Sequence, residues 1–248
     1  MNYLFRKKEA NNLLRYIFLI VPIYIIYNNI KPLIKKLHST DLDSVLINID
    51  KSIFGLNPTE YLATISNPFL TEYLQIAYLL FYVLPILQAL EYLMRESKFE
   101  FQYLLRNMIF GFLFSFILYL FIPAIGPRFT LHEYSMINNE LPGLFFTEYI
   151  RNMVDYGGGI LNFNLNPSIQ VNRDCFPSGH TMMTIINIFV AFKYNSKLKY
   201  LILFIGISLI ISTVYLRYHY VIDLIAGVLF GYLSIKIENL INRKIQLK

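Results

Sequence analysis

A chain of 248 residues that is 56% hydrophobic and only 15% charged, with a mean hydropathy of +0.47, is too apolar for an ordinary soluble domain and points to membrane insertion. Its net charge of +6 does not mark a nucleic-acid binder, because the basic residues sit in short clusters between apolar runs, where membrane orientation needs them. Cys175 is the single cysteine, which excludes an intrachain disulfide, and with no Trp the interfacial aromatic belt falls to the 20 Tyr.

In chain order, Arg6, Lys7 and Lys8 precede an apolar run from about Leu13 to Ile30. It has the charged and apolar regions of a signal peptide but no small-residue cleavage site after it, so the expectation is a retained first span, with Pro22 placed to kink it. Beyond Lys31, Lys35 and Lys36, the segment Asp41 to Phe54 sets Leu42, Val45, Leu46, Ile49 and Ile53 on one helical face, with Asp43, Asp50 and Lys51 elsewhere. That pattern fits a short helix lying in the membrane interface, and equally one packed on the protein's own loops. Asn57-Pro58-Thr59 and Asn67-Pro68 punctuate the approach to a second span, about Leu70 to Met94. A third, about Tyr103 to Ile122, ends at Pro123. From Ala124 to Asp174 the chain is polar and carries Gly126-Pro127-Arg128 and the triplet Gly157-Gly158-Gly159. A structureless loop of that length is unusual, so part of it should fold or serve a site, and Phe145 to Tyr156 has the period of one short helix. Three spans complete the chain, about Ser178 to Tyr194, Tyr200 to Tyr215 and His219 to Leu240.

The expected fold is therefore all-α: a polytopic membrane protein with six transmembrane helices and a short interfacial helix, forming one integral membrane domain over residues 1–248. Assigning the 22 basic residues to the two sides of six spans puts the majority with the termini, which are then expected to be cytoplasmic. The Lys31 to Lys36 cluster runs against that assignment. In this topology Arg128, His180 and His219, distant in sequence, share the non-cytoplasmic face.

Two stretches carry chemistry. In Cys175-Phe176-Pro177-Ser178-Gly179-His180, Pro177 suits the first turn of a helix, which sets Ser178 and Gly179 at the helix start, where free N–H groups favour a phosphate. The plainer reading is a polar cap beside a hydrogen-bonded histidine. In Arg217-Tyr218-His219-Tyr220-Val221-Ile222-Asp223, the carboxylate lies one helical turn from the imidazole. It can hold one ring nitrogen protonated and leave the other free to attack phosphorus, or the pair can simply brace two helices. Arg128, Arg217 and Arg173 are candidates for neutralising a phosphate, with Arg173 more simply read as facing water or headgroups. A cysteine-phosphatase loop fails, because position 181, six after Cys175, is Thr181. A zinc site from His180, His219 and Asp223 has the ligand types without a compact motif, so no metal is expected. His38 and His132 read as solvated loop histidines.

Pro177-Ser178-Gly179-His180, with His219-Tyr220 and Asp223-Leu224-Ile225-Ala226-Gly227, resembles the second and third motifs of the type-2 phosphatidic acid phosphatase superfamily. Pro123-Ala124-x-Gly126-Pro127-Arg128 resembles the first motif as found in its inositol-phosphorylceramide-synthase-like branch. The motif regions are 121–128, 175–181 and 212–227. The resemblance implies a six-helix membrane enzyme working through a phosphohistidine, without metal or cofactor. It implies His219 as nucleophile, Asp223 as its orienting partner, His180 as the acid for the leaving oxygen, and Arg128, Ser178 and Gly179 as phosphate ligands. Two positions depart from the pattern: Phe121 replaces the usual lysine of the first motif, and Thr213 the usual arginine of the third. Arg217, two residues before His219, is assigned the missing charge, on condition that the last helix begins near Tyr218. The expected function is a membrane lipid-phosphate phosphatase. A lipid phosphotransferase is the alternative, and a non-catalytic lipid carrier or scaffold a third reading. The expected partners are a lipid phosphate and the bilayer, with no nucleic acid.

Overall fold

The structure is a computed structural model and describes residues 21–162 and 165–246. All regular structure among the described residues is helical. In order these are α1 (residues 21–37), α2 (Asp43–Phe54), α3 (Pro58–Ala63), α4 (Pro68–Leu79), α5 (Val83–Met94) and α6 (Lys98–Tyr119). Four short pieces follow: α7 (Pro127–Thr130), a 3-10 turn (Tyr134–Met136), α8 (Ile137–Glu140) and, after the longer α9 (Thr147–Gly157), α10 (Pro167–Gln170). The chain closes with α11 (Gly179–Lys193), α12 (Lys199–Tyr215) and α13 (Val221–Gln246). The first part of the expected first span, residues 13–20, lies outside the described residues.

α11 is the central helix, packed against α6, α12 and α13. Met182, Met183, Ile186 and Val190 on it are essentially inaccessible and meet Tyr103 and Leu104 of α6, Leu209 of α12 and Ile235 of α13. Carboxylates then fasten the loops to this bundle. Glu72 on α4 accepts from the backbone N–H groups of Leu144, Phe145, Phe146 and Thr147, and so anchors the start of α9. Glu91 on α5 accepts from Lys197 N at 2.7 Å and from the Ser196 hydroxyl, which fixes the α11–α12 turn. A carboxylate at a cluster of unpaired amides satisfies donors that would be costly to bury bare.

By length and composition one described helix, α6, is long and apolar enough to cross a membrane. α4 and α5 pass the same test as a pair but are bent by 50° between them. Pro85, in the first turn of α5, has no N–H to return to the carbonyl four residues back, which accounts for a break at this place. α12 has the composition but only 17 residues, about 25 Å of helix against the ~30 Å of a hydrocarbon core. Six full spans thus exceed what the described helices show one by one.

A helix forms over Asp43–Phe54, inside the expected segment, but the acids expected off its apolar face are among its buried residues. Val45 and Ile53 are half exposed, whereas Asp43, Leu46 and Asp50 are buried. Val45 and Ile53 of the apolar face point outward, while Leu46 and the two acids face in.

Candidate active site

The start of α11 is built around Ser178, its N-cap. The Ser178 Oγ accepts from Thr181 N at 3.2 Å, while the Ser178 N–H donates to the Asp223 backbone carbonyl at 3.0 Å. Two details of the expectation change. Pro177, joined to Phe176 by a cis peptide, stands before the cap and not in the first turn. The Ser178 amide is spent on Asp223, so the amides without an intrahelical acceptor are those of Gly179 and His180, the first two helical residues. Gly179 is required sterically, because a Cβ there would collide with the Tyr119 hydroxyl.

His219 lies two residues before α13, so its relation to Asp223 is not that of two residues on a helical face. The chain leaves α12 through a turn in which the Thr213 carbonyl accepts from both Tyr218 N (2.8 Å) and His219 N (3.0 Å), with Arg217 in the left-handed region at φ 66°. Asp223, in the first turn of α13, reaches back. Its Oδ2 accepts from Tyr220 N at 2.8 Å, from the Cys175 thiol at 3.0 Å, and lies 3.3 Å from His219 Nδ1. Its Oδ1 is buried without a partner.

The two half-sites meet. The His180 and His219 rings are 5.8 Å apart between centroids, and His180 is flanked by Tyr78 (4.6 Å) and Phe81 (4.5 Å) from α4 and the break after it. The aromatic walls fix the His180 ring, and the third helical layer, α4, thereby shapes the site.

The arginines are placed unequally. Arg128 is buried, stacks over Phe129, Tyr134 and Tyr218, and pairs with Asp155 at 2.5 Å. Burial works to lower its pKa, but the Asp155 carboxylate, with Tyr218 and Tyr134, outweighs it and raises the value. The last helix does begin after Tyr218, the condition set for Arg217, yet the Arg217 guanidinium goes to Glu140 on α8. Its backbone carbonyl accepts from Arg128 N at 3.0 Å, which ties the first motif to the third. The Nε atoms of Arg128 and Arg217 are buried and unpartnered. Arg173 does not simply face water or headgroups: it pairs with Asp41 through two 3.2 Å contacts and donates to the Val171 carbonyl.

Residues missed in the sequence hold these parts in register. Asp43 accepts from Ile125 N, Gly126 N and the Tyr220 hydroxyl, and Asp50 accepts from Val221 N (2.8 Å) and Ile222 N (2.9 Å). Burial pushes both carboxyls up, and the amides they accept from pull them back down. Their seven-residue spacing, two helical turns, was the signal that both share one face. His38 and His132 are not free in solvent: His38 Nε2 lies 2.7 Å from the Leu120 carbonyl, and His132 Nε2 lies 2.9 Å from Thr59 Oγ1. Cys175 is buried, and burial first, then Asp223, pushes its thiol well up, which suits a hydrogen-bond donor better than a nucleophile. The compact set with metal-ligand atom types is Cys175, His219 and Asp223, all within 4.8 Å of one another, and not the His180-containing set weighed from sequence.

Two imidazoles set edge to face, one backed by a buried carboxylate, with the buried arginines of the first and third motif regions tied to each other through the backbone, define a helical protein equipped to handle an oxyanion. The chain belongs to the PAP2 superfamily, whose profile matches residues 45–237. The match runs from α2 into α13 and takes in all three motif regions. The chain is also similar to a PA-phosphatase related-family protein of Dictyostelium discoideum, 27% identical over 109 residues, which is 44% of this chain and 18% of that relative. No solved structure matches. Family membership supports phosphoryl-transfer or hydrolase chemistry at a general level.

Proposed function

We propose that the protein is an integral membrane phosphatase of lipid phosphates that works through a phosphohistidine. The observation that carries this is the pairing of the His180 and His219 rings at 5.8 Å, with Asp223 on the Nδ1 side of His219. With its Nδ1 proton held by Asp223, His219 presents the Nε2 lone pair to phosphorus. An Nε2–P bond forms as the P–O bond to the lipid breaks, and His180 gives its proton to the departing oxygen. His180 then takes a proton from water, whose oxygen attacks the phosphoryl group and releases phosphate. The amides of Gly179 and His180 and the open Nε groups of Arg128 and Arg217 suit the charge that spreads over the phosphoryl oxygens.

The membrane assignment is supported by the outward apolar surface. Phe69, Met94, Phe121, Phe204 and Leu229 are all mostly exposed, more apolar area than a water-facing surface carries. The exposed stripe of α2 suits a helix in the interface. The termini are placed in the cytoplasm and the site at the opposite face. Labelling of an Asn138→Cys variant in intact cells supports this, and labelling only after permeabilisation overturns it.

The test of activity is phosphate release by purified protein in detergent from phosphatidate and an isoprenyl diphosphate, with excess chelator. Release that His219→Ala abolishes supports the reading, and no turnover across a broad lipid-phosphate panel sinks it. Phosphate recovered on an acceptor lipid instead assigns the phosphotransferase reading, the one suggested by the motif's resemblance to the inositol-phosphorylceramide-synthase-like branch.

A further inference from the structure

A cavity of about 260 Å³ opens at the end of α1, lined by Ile34, Lys35, His38, Ser39, Asp41 and Arg173. Its chemistry is cationic and only partly neutralised. Asp41 holds Arg173, and Arg173 is further steadied by the Val171 carbonyl at 2.6 Å, so its guanidinium is fixed in orientation. The Lys35 amine spends one N–H on the Ile169 carbonyl at 2.8 Å and keeps two. His38 is held through Nε2 on Leu120 O, which leaves Nδ1 as the free ring nitrogen. The cations feel one another: burial first, then the fields of Lys35 and Arg173, hold the Lys31 amine below its ordinary value, and burial and Arg173 do the same to Lys35. With Arg173 held by Asp41, the Lys35 amine is the charge at the cavity that has no carboxylate hydrogen-bonded to it among the described contacts, which suits an anion.

We propose that this cavity is a second anion site, separate from the histidine pair, that takes a phosphate group. Lys35 supplies the mobile charge and Arg173 the fixed one. Its position makes it useful. Arg173 is two residues from Cys175, at most about 7 Å of extended chain, and the Cys175 sulfur is 3.6 Å from His219 Nδ1. The cavity is thus joined to the histidine site through the short link from Arg173 to Cys175. Two sources share this chemistry: the phosphodiester of an anionic lipid headgroup, and free phosphate.

The inference goes beyond the phosphatase reading and is tested by binding alone, so the two fail separately. Dissociation constants are measured for detergent-purified protein with phosphatidylglycerol, phosphatidylcholine and inorganic phosphate, using thermal shift across a concentration series. Lys35→Gln and Lys35→Glu are suitable variants, because Lys35 is an exposed residue near the end of α1 and lies outside the histidine site. Phosphatidylglycerol binding that exceeds phosphatidylcholine binding and weakens roughly 10-fold to 100-fold in both variants, the loss of one charge-assisted hydrogen bond, assigns a headgroup site. The same loss seen with inorganic phosphate assigns the free anion. Anion binding that is absent, or unchanged in Lys35→Glu, overturns the proposal.

Discussion

Replacing Asp223 by Asn tests the chemistry with little change of shape. Three donors, Tyr220 N, the Cys175 thiol and His219 Nδ1, converge on Oδ2, and an amide oxygen at that position can still accept them. The amide NH2 then occupies the place of Oδ1, which is buried and has no partner, so the substitution should destabilise the fold by only about 1–3 kcal/mol. The effect on rate should be larger. In the proposed mechanism the His219 ring becomes cationic as it bonds to phosphorus, and a full negative charge 3.3 Å away is worth about 5 kcal/mol at an effective dielectric of ~20. That corresponds to a loss of roughly 10³ to 10⁴ in kcat, comparable to the effect of the same substitution in a serine-protease triad. The assay is phosphate release under saturating substrate, with unfolding followed in parallel. A variant that unfolds normally and keeps kcat within tenfold of the parent would refute the assigned role of Asp223.

Three further outcomes are expected. Asp50→Ala leaves the Val221 and Ile222 amides without acceptors and should lower stability by about 1–3 kcal/mol, with activity falling further than stability because the turn carrying His219 loosens; thermal unfolding and turnover on one preparation check this. Gly126 has φ 96°, and a Cβ there would lie 2.7 Å from the Tyr218 carbonyl, so Gly126→Ala should destabilise by about 1–3 kcal/mol and reduce activity, whereas an exposed glycine substitution with open space, Gly157→Ala, should do neither. His132 is held down to about 4, first by burial and then by Arg217, so its folded-state pKa lies below its unfolded one. Protonation then favours the unfolded chain, and stability should be constant above about pH 6.5 and fall progressively as pH drops toward 4. In His132→Gln that part of the slope in a pH series of melting temperatures should vanish.

The late helices were legible because their ends are punctuated: Ser178-Gly179 opens α11, Lys199 and Tyr215 bound α12 closely, and the period of 145–156 anticipated α9. The orientation of α2 was not. Apolar periodicity tells inside from outside only when the outside is water, and where both faces meet apolar surroundings the stripe loses that meaning. Asp43 and Asp50 were set only off the apolar face, although burial of an acid among amides is what holds the loops together. The pairing of Arg217 with Glu140 was equally out of reach, since it joins positions 77 residues apart through a short helix with no periodic signal. The relation between His219 and Asp223 was correct in partners and wrong in form, because a carboxylate in the first turn of a helix can reach back to the residues preceding it.

α2 has two audiences. Its outer face exposes Val45 and Ile53, while its inner face, through Asp43 and Asp50, holds the backbone at Gly126 and at the start of α13. In the membrane enzyme proposed above, a rod shared in this way would convert depth in the bilayer into alignment of the segments that carry the two histidines. The expected signature is an enzyme whose turnover varies with detergent or lipid composition while its melting temperature barely changes. Cross-linking α2 to the Gly126 turn should uncouple the two, restoring turnover in poor detergents, and continued sensitivity in the cross-linked protein would show that the bilayer acts elsewhere.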